Sequence, residues 1–282
     1  MNQPIGINSF GLNALFHQDF EGTCAELKSI GFSSIEPMIV FPKAMNHEPD
    51  MMLKRLAMAG KDGAFWTESL AKERIAQLRA SGFSVQGAHL GLINLVPGGL
   101  EALLPFAAEF ASENRLSYMV HSPQKKRLKE IEADIQAFKK GLPLLKEQGT
   151  ELLFHCHYHE FADDQSDTPF AYLLRQVPEL RLELDVGWVQ YSGLNVLRLM
   201  EEYRDRIAII HFKDILPQAP EMDHDQICTA IGEGCLPLKE IIAMSNDLSL
   251  SYTGYVIDQD TSNGDMMDDL IRGYRNIRTL AK

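Results

Sequence analysis

Histidines and acids stand in this sequence at the ends of short apolar segments, where an α/β protein collects the side chains that do chemistry. Asp185 closes the segment that begins at Leu182, and His211 closes Ile207 to Ile210. A carboxylate buried in such a place is costly unless it is paired or bound to a metal. An imidazole arriving from the adjacent strand would meet that requirement through a shared cation. Glu36, His89, His121, Asp258 and Asp260 occupy comparable positions, and the densest cluster is His155-Cys156-His157-Tyr158-His159-Glu160. Along an extended strand, alternation would put His155, His157 and His159 on one side, in steps of roughly 6–7 Å. One metal cannot take all three, so one is expected as a ligand. The others, with Glu160, are expected to touch substrate or orient ligands. His159-Glu160 does not open a zinc-protease HExxH helix, because position 163 is Asp.

These residues need a scaffold that brings strand ends together. Three stretches share one pattern, an amphipathic helix stopped by glycine and followed by a strand: Ala25 to Glu36 around Gly31, Ala76 to Gly87 around Gly82, and Leu144 to Phe154 around Gly149. Glycine suits the position after a helix because that residue often needs φ > 0. Strands are expected to begin near Ile5, Ser33, Phe83, Ser117, Glu151, Arg181, Ile207 and Gly254. Helical patterns fill the gaps, at Glu68–Ala80, Leu100–Glu113, Lys125–Lys140, Asn195–Tyr203 and Leu236–Met244, and Met267–Leu280 closes the chain. Strand–helix alternation implies parallel pairing through right-handed crossovers. Eight units in 282 residues match a closed α/β barrel of the (β/α)8 or TIM type, one domain over 1–282. A doubly wound open sheet would carry a glycine-rich phosphate turn after its first strand, and Asn8 to Asn13 has no GxGxxG. Two long connections, about 37–66 and 216–234, follow strands and are expected on the catalytic rim. On that rim the strand C-termini Glu36, His89, His121, His155, Asp185, His211 and Asp258 would converge.

Composition removes several function classes. The net charge of −12 opposes nucleic-acid binding, which needs clustered Lys and Arg against phosphates; Lys125-Lys126-Arg127 is read as a solvated helix start. The apolar runs are too short for a membrane span, and no secretory pattern is evident before Ser9. Four cysteines without a CxxC pair are read as free thiols in a reducing cytoplasm. The expected partner is a small sugar-like molecule, and a homo-oligomer is compatible with the sequence.

The motifs Leu184-Asp185-Val186-Gly187-Trp188-Val189, His211-Phe212-Lys213-Asp214 and Ile231-Gly232-Glu233-Gly234 resemble the xylose-isomerase-like barrel superfamily of sugar and sugar-phosphate isomerases, epimerases and inosose dehydratase-like lyases. Gly87-Ala88-His89, the Glu36 segment and Val256 to Asp260 match more loosely, and His155 to Phe161 is similar to the His-Asn-His-x-x-Glu-Phe segment of one branch. The resemblance spans nearly the whole chain. It implies one divalent metal, Mn²⁺, Mg²⁺, Zn²⁺ or Co²⁺, held at the ends of strands five to eight by Glu, Asp, His and Glu. The corresponding positions here are His155, Asp185, His211 and Asp258, so two of the four differ from the common pattern. It further implies chelation of neighbouring carbonyl and hydroxyl oxygens, removal of the acidified proton, and an enediolate. Glu160 and His157 are the candidates for proton transfer and Lys213 for stabilising negative charge. Glu36, His89 and Trp188 are expected substrate contacts. The leading expectation is a metal-dependent sugar isomerase or epimerase. The alternatives are a lyase dehydrating a keto-inositol or keto-sugar, and a non-catalytic sugar-binding barrel.

Overall fold

The computed structural model describes residues 3–46, 51, 54, 63 and 65–281. Twelve strands are described: β1 (Ile5–Asn8), β2 (Ser34–Glu36), β3 (Met38–Val40), β4 (Trp66–Thr67), β5 (Gly87–Leu90), β6 (Tyr118–His121), β7 (Glu151–His155), β8 (Arg181–Asp185), β9 (Ile207–Phe212), β10 (Asp214–Ile215), β11 (Cys228–Thr229) and β12 (Tyr255–Ile257). Ten of them form one sheet in the order β2-β1-β12-β9-β8-β7-β6-β5-β3-β4. β2 and β3 flank Pro37 and act as two halves of one stave: β2 pairs with β1, β3 pairs with β5, and a parallel bridge joins Ser34 to Ser84. The curled sheet thereby meets itself. With β2 and β3 taken together, and the two-residue β4 counted as an addition to β3, eight parallel staves surround one axis, as the strand–helix alternation predicts.

The repeated helix–glycine–strand pattern has the geometry expected of it. Asp19 caps the helix Phe20–Ile30 by accepting a hydrogen bond from the Gly22 N–H, and that helix stops at Gly31. Gly31, Gly82 and Gly149 all have positive φ, at 117°, 82° and 75°, a region that costs glycine nothing. Several boundaries differ from expectation: the third stave begins at Gly87 rather than near Phe83, the helix expected over Lys125–Lys140 runs Leu128–Glu147, and the one expected from Leu236 begins at Leu238. The connection 216–234 is more ordered than a plain loop, because β10 and β11 pair as an antiparallel ribbon at its base. Of the connection 37–66, residues 47–50, 52, 53, 55–62 and 64 lie outside the described residues.

Two apolar layers hold the barrel. Outside the staves, Phe138, Phe154, Leu182 and Ile210 are buried against the helices. Each such side chain contributes roughly 1.5–3 kcal/mol on burial. Inside, Tyr118, Val120, Leu153, Ile209 and Val256 form a separate buried cluster. Gly87 makes this inner cluster possible: a Cβ there would lie 2.2 Å from carbons of the Tyr118 ring. Nearer the strand N-termini, the Tyr118 and Tyr252 rings pack with centroids 4.5 Å apart. Tyr252 and Arg181 both reach Glu151, at 2.7 and 3.3 Å. The lower barrel is filled, which leaves the strand C-termini as the open end.

Candidate functional site

Register determines which side chains meet above the inner apolar cluster. His155 lies beside Glu183, and Asp185 beside His211, on neighbouring staves. The four strand-end residues expected as ligands, His155, Asp185, His211 and Asp258, do converge. Each offers one ligand atom, all lie within 4.8 Å of one another, and all four residues are buried. Asp185 uses Oδ1 to cap the helix Val186–Tyr191 through the Trp188 N–H at 2.9 Å. Its Oδ2 is buried without a hydrogen-bond partner. An orphaned carboxylate oxygen among two imidazoles and a second carboxylate is a donor set that fits a divalent cation.

A second group shares two of these residues. His89, His155, Glu183 and His211 also bring ligand atoms within 4.8 Å of one another. Glu183 Oε2 lies 2.8 Å from both His89 Nε2 and His155 Nδ1. Glu36 Oε2 lies 3.0 Å from His89 Nε2 and 2.9 Å from His211 Nε2. Lys213 reaches the upper acids, with Nζ donating to Asp258 at 2.7 Å and Asp260 at 2.8 Å and lying 3.6 Å from Asp185 Oδ2.

No family model matches the chain. An inosose dehydratase of Geobacillus kaustophilus is 22% identical over 139 residues, 45% of this chain and 44% of that protein. The chain therefore spans somewhat less than half the length of the curated relatives it matches. Among solved structures, a sugar phosphate isomerase/epimerase from Parabacteroides distasonis superposes with a TM-score of 0.73 at 16% identity, covering 100% of this chain and 96% of that one. A probable 3-DHS dehydratase involved in petrobactin synthesis from Bacillus anthracis superposes at 0.65 with 15% identity, over 96% and 97%. The chain shares the α/β-barrel fold of these solved structures.

His89, His155, His157, Lys213, Asp258 and Asp260 line the cavity at the open end of the barrel. Three expected residues are placed otherwise. Glu160 is fully buried and turned into the protein, where its oxygens accept N–H bonds from Lys125 and His157, each at 2.8 Å. It braces two rim loops and does not reach the cavity. Trp188 packs behind the wall with Ile215, Ala219, Ile227 and Cys228, with Lys213 Nζ 5.4 Å from its ring. Glu36 is spent on neighbours rather than exposed to a ligand: it accepts from Asn8, from Tyr118 Oη at 2.6 Å, and from His89 and His211.

The expected alternation along strand five also breaks. β7 ends at His155, and Tyr158–Phe161 turn as a short 3-10 helix. His157 stays beside His155, ring centroids 4.8 Å apart, whereas His159 stacks on Tyr158 at the rim. His121 points away from the cluster, with Nε2 donating to Asp134 on the helix Leu128–Glu147 at 2.7 Å. Glu183 is the functional candidate that strand-end reasoning missed. It sits one pleat below Asp185, and the alternation Glu183-Leu184-Asp185 was the available signal that both acids face inward.

Burial and charge set the ionisation of these groups. Burial disfavours a charged His89, but the carboxylates of Glu183 and Glu36 outweigh it and push the ring up to about 10. His155 goes the other way, to about 4, because burial exceeds the pull of its hydrogen bond to Glu183. Burial, with His155 and Lys213 nearby, holds His157 well below the usual histidine range. Lys213 stays firmly charged despite burial because Asp258, Asp260 and Asp185 surround it.

Proposed function

We propose that this protein is a divalent-metal-dependent sugar isomerase acting on a small keto-sugar or polyol-derived substrate, through proton removal beside a carbonyl. The observation that carries this reading is the convergence of His89, His155, Glu183, Asp185, His211 and Asp258 into two overlapping buried groups, each with ligand atoms within 4.8 Å of one another. A divalent ion held among these interior donors would supply Lewis acidity to a bound carbonyl and hydroxyl.

The chain's own residues divide the remaining work. His157 lines the cavity and is kept neutral by burial, so its ring offers a lone pair for a substrate proton. Lys213 is fixed by Asp258 and Asp260 and presents a positive charge to an oxygen that becomes negative. His155 and Asp258 are poor bases, since one is engaged by Glu183 and the other by Lys213. A single base on one face can return the proton to the adjacent carbon, which is isomerisation. Inversion at one carbon needs a second group on the opposite face, so epimerisation is the outcome with least support in this geometry.

A second reading, dehydration of a keto-inositol or keto-sugar, draws on the curated matches, which are inosose dehydratases. The same proton removal followed by loss of a β-hydroxyl would serve it. The test incubates metal-loaded protein with a panel of ketoses and inososes in D₂O. Deuterium beside the carbonyl together with ketose–aldose interconversion supports the isomerase. Water loss to a conjugated enone without interconversion replaces it with the dehydratase. Ligand binding with neither reaction leaves a sugar-binding barrel and overturns both.

A further inference from the structure

The two ligand groups cannot both be filled in the same way. They share His155 and His211 through opposite ring nitrogens: Nδ1 of His155 and Nε2 of His211 face the deeper group, while His155 Nε2 and His211 Nδ1 face Asp185 and Asp258. A neutral imidazole has one lone pair and carries its proton on the other nitrogen. One cation position therefore excludes the other unless both rings become imidazolates.

We propose that the resident metal of this chain sits in the deeper group, held by His89, His155, Glu183 and His211, one layer below the strand-end set that the family resemblance implies. The inference rests on the metal-dependent reading above and refines where the metal lies. Three observations carry it. First, the upper acids already have a permanent cation, since Lys213 Nζ lies 2.7 Å from Asp258 Oδ2 and 3.6 Å from Asp185 Oδ2. A divalent ion on the same oxygens would face that ammonium at close range in a buried site, which is strongly repulsive. Second, the deeper group has no lysine or arginine; its one carboxylate, Glu183, is fully buried, and a second buried carboxylate, Glu36, lies against His89 and His211. Glu183 Oε1 is buried, accepts no hydrogen bond and lies 3.2 Å from His211 Nε2, so a cation beside that ring would find a carboxylate oxygen already in place.

Third, the three rings surround that point from three staves. His89, His155 and His211 have ring centroids 5.1, 5.5 and 4.9 Å apart, pair by pair. Their inward nitrogens lie 2.8–3.2 Å from Glu183 oxygens. Ligands of a tetrahedral ion at about 2.1 Å are separated by about 3.4 Å, so each of these nitrogen–oxygen contacts would have to open by only a few tenths of an ångström to admit a cation. The cation would replace protons now shared between imidazoles and carboxylates. His89 and His155 line the cavity, so the position remains open to substrate from above. Three imidazoles and a carboxylate favour Zn²⁺ or Co²⁺ over Mg²⁺, which prefers oxygen ligands.

Each position uses two residues that the other does not, His89 and Glu183 in the deeper one and Asp185 and Asp258 in the upper one, and one of each pair is changed. Wild-type protein, His89→Gln and Asp258→Asn are loaded with Co²⁺ or Zn²⁺. Metal per chain and affinity are measured by elemental analysis after dialysis, with circular dichroism and melting curves as folding controls. The deeper site predicts that Asp258→Asn keeps one ion per chain. His89→Gln should lose affinity by more than the ~10–100-fold expected for an outer partner alone. X-ray absorption of the Co²⁺-loaded wild type supplies a readout that does not depend on a variant folding, and three imidazoles are expected. Two imidazoles, or metal lost in Asp258→Asn and kept in His89→Gln, would overturn the deeper placement and leave the metalloenzyme reading intact. A wild type that binds neither ion overturns both.

Discussion

At the level of single residues, the candidate site separates groups that touch a ligand from groups that hold others in place. His157 faces the cavity as a neutral ring. His157→Gln is expected to lower kcat by ~10²–10⁴-fold with KM changed by far less, as steady-state kinetics on the active substrate would show. Glu160 makes a different prediction. Burial pushes its carboxyl up to about 7 against the pull of backbone N–H groups, from an ordinary value of 4.5. The folded state then binds this proton more tightly than the unfolded chain, so the contribution to stability is largest below 4.5 and falls as pH rises towards 7. Urea unfolding with chelator present should show the wild type losing stability relative to Glu160→Gln between pH 4.5 and 7; parallel pH profiles would contradict it. The convergence of Asp185, His211, His155 and Asp258 was legible in the sequence because each ends an apolar strand and closure of the barrel brings strand ends together. Glu160 was misread because spacing alone does not reveal that the chain leaves the strand at His155 and turns. Glu183 was missed because an acid inside a strand reads like one of the solvent-facing positions of an alternating pattern, and only closure of the barrel turns it inward.

Among the elements, glycine at β5 and tyrosine at β6 form a pair whose fit is steric. Since a Cβ at Gly87 would meet the Tyr118 ring at 2.2 Å, Gly87→Ala is expected to destabilise the protein by about 1–3 kcal/mol or more. Combining it with Tyr118→Ala should give a non-additive result, with a coupling of about 1 kcal/mol or larger, measurable by denaturant titration. Additivity would mean that the two staves adjust independently. Asp214, the last residue of the motif that begins at His211, works at this scale as well. Its carboxylate accepts N–H bonds from Ile215, Gly232, Gly234 and Leu236, tying the far end of the rim connection to β10. The helices and staves were largely legible because each helix ends on glycine or a polar break and each stave is a short apolar run. The split of the second stave around Pro37 and the β10–β11 ribbon were not, because both depend on pairing with distant partners.

For the molecule as a whole, cation binding and folding are linked, since the ligand atoms come from distant parts of the chain and meet only in the folded barrel. Zn²⁺ or Co²⁺ at about a thousandfold above its dissociation constant should add about 4 kcal/mol of stability, and chelator should reverse it. Thermal melts that do not move with either ion would contradict a native metal site. Among the described residues, no helix is long and apolar enough to cross a membrane. The filled lower barrel has a kinetic consequence. Tyr118, Val120, Leu153, Ile209 and Val256 are almost completely buried, so the axis is a blind well rather than a channel. Whatever enters at the rim must leave by the same route. A product lingering there blocks the next substrate molecule, and added product should inhibit competitively, raising apparent KM with the limiting rate unchanged. Turnover would then be governed by traffic through one doorway.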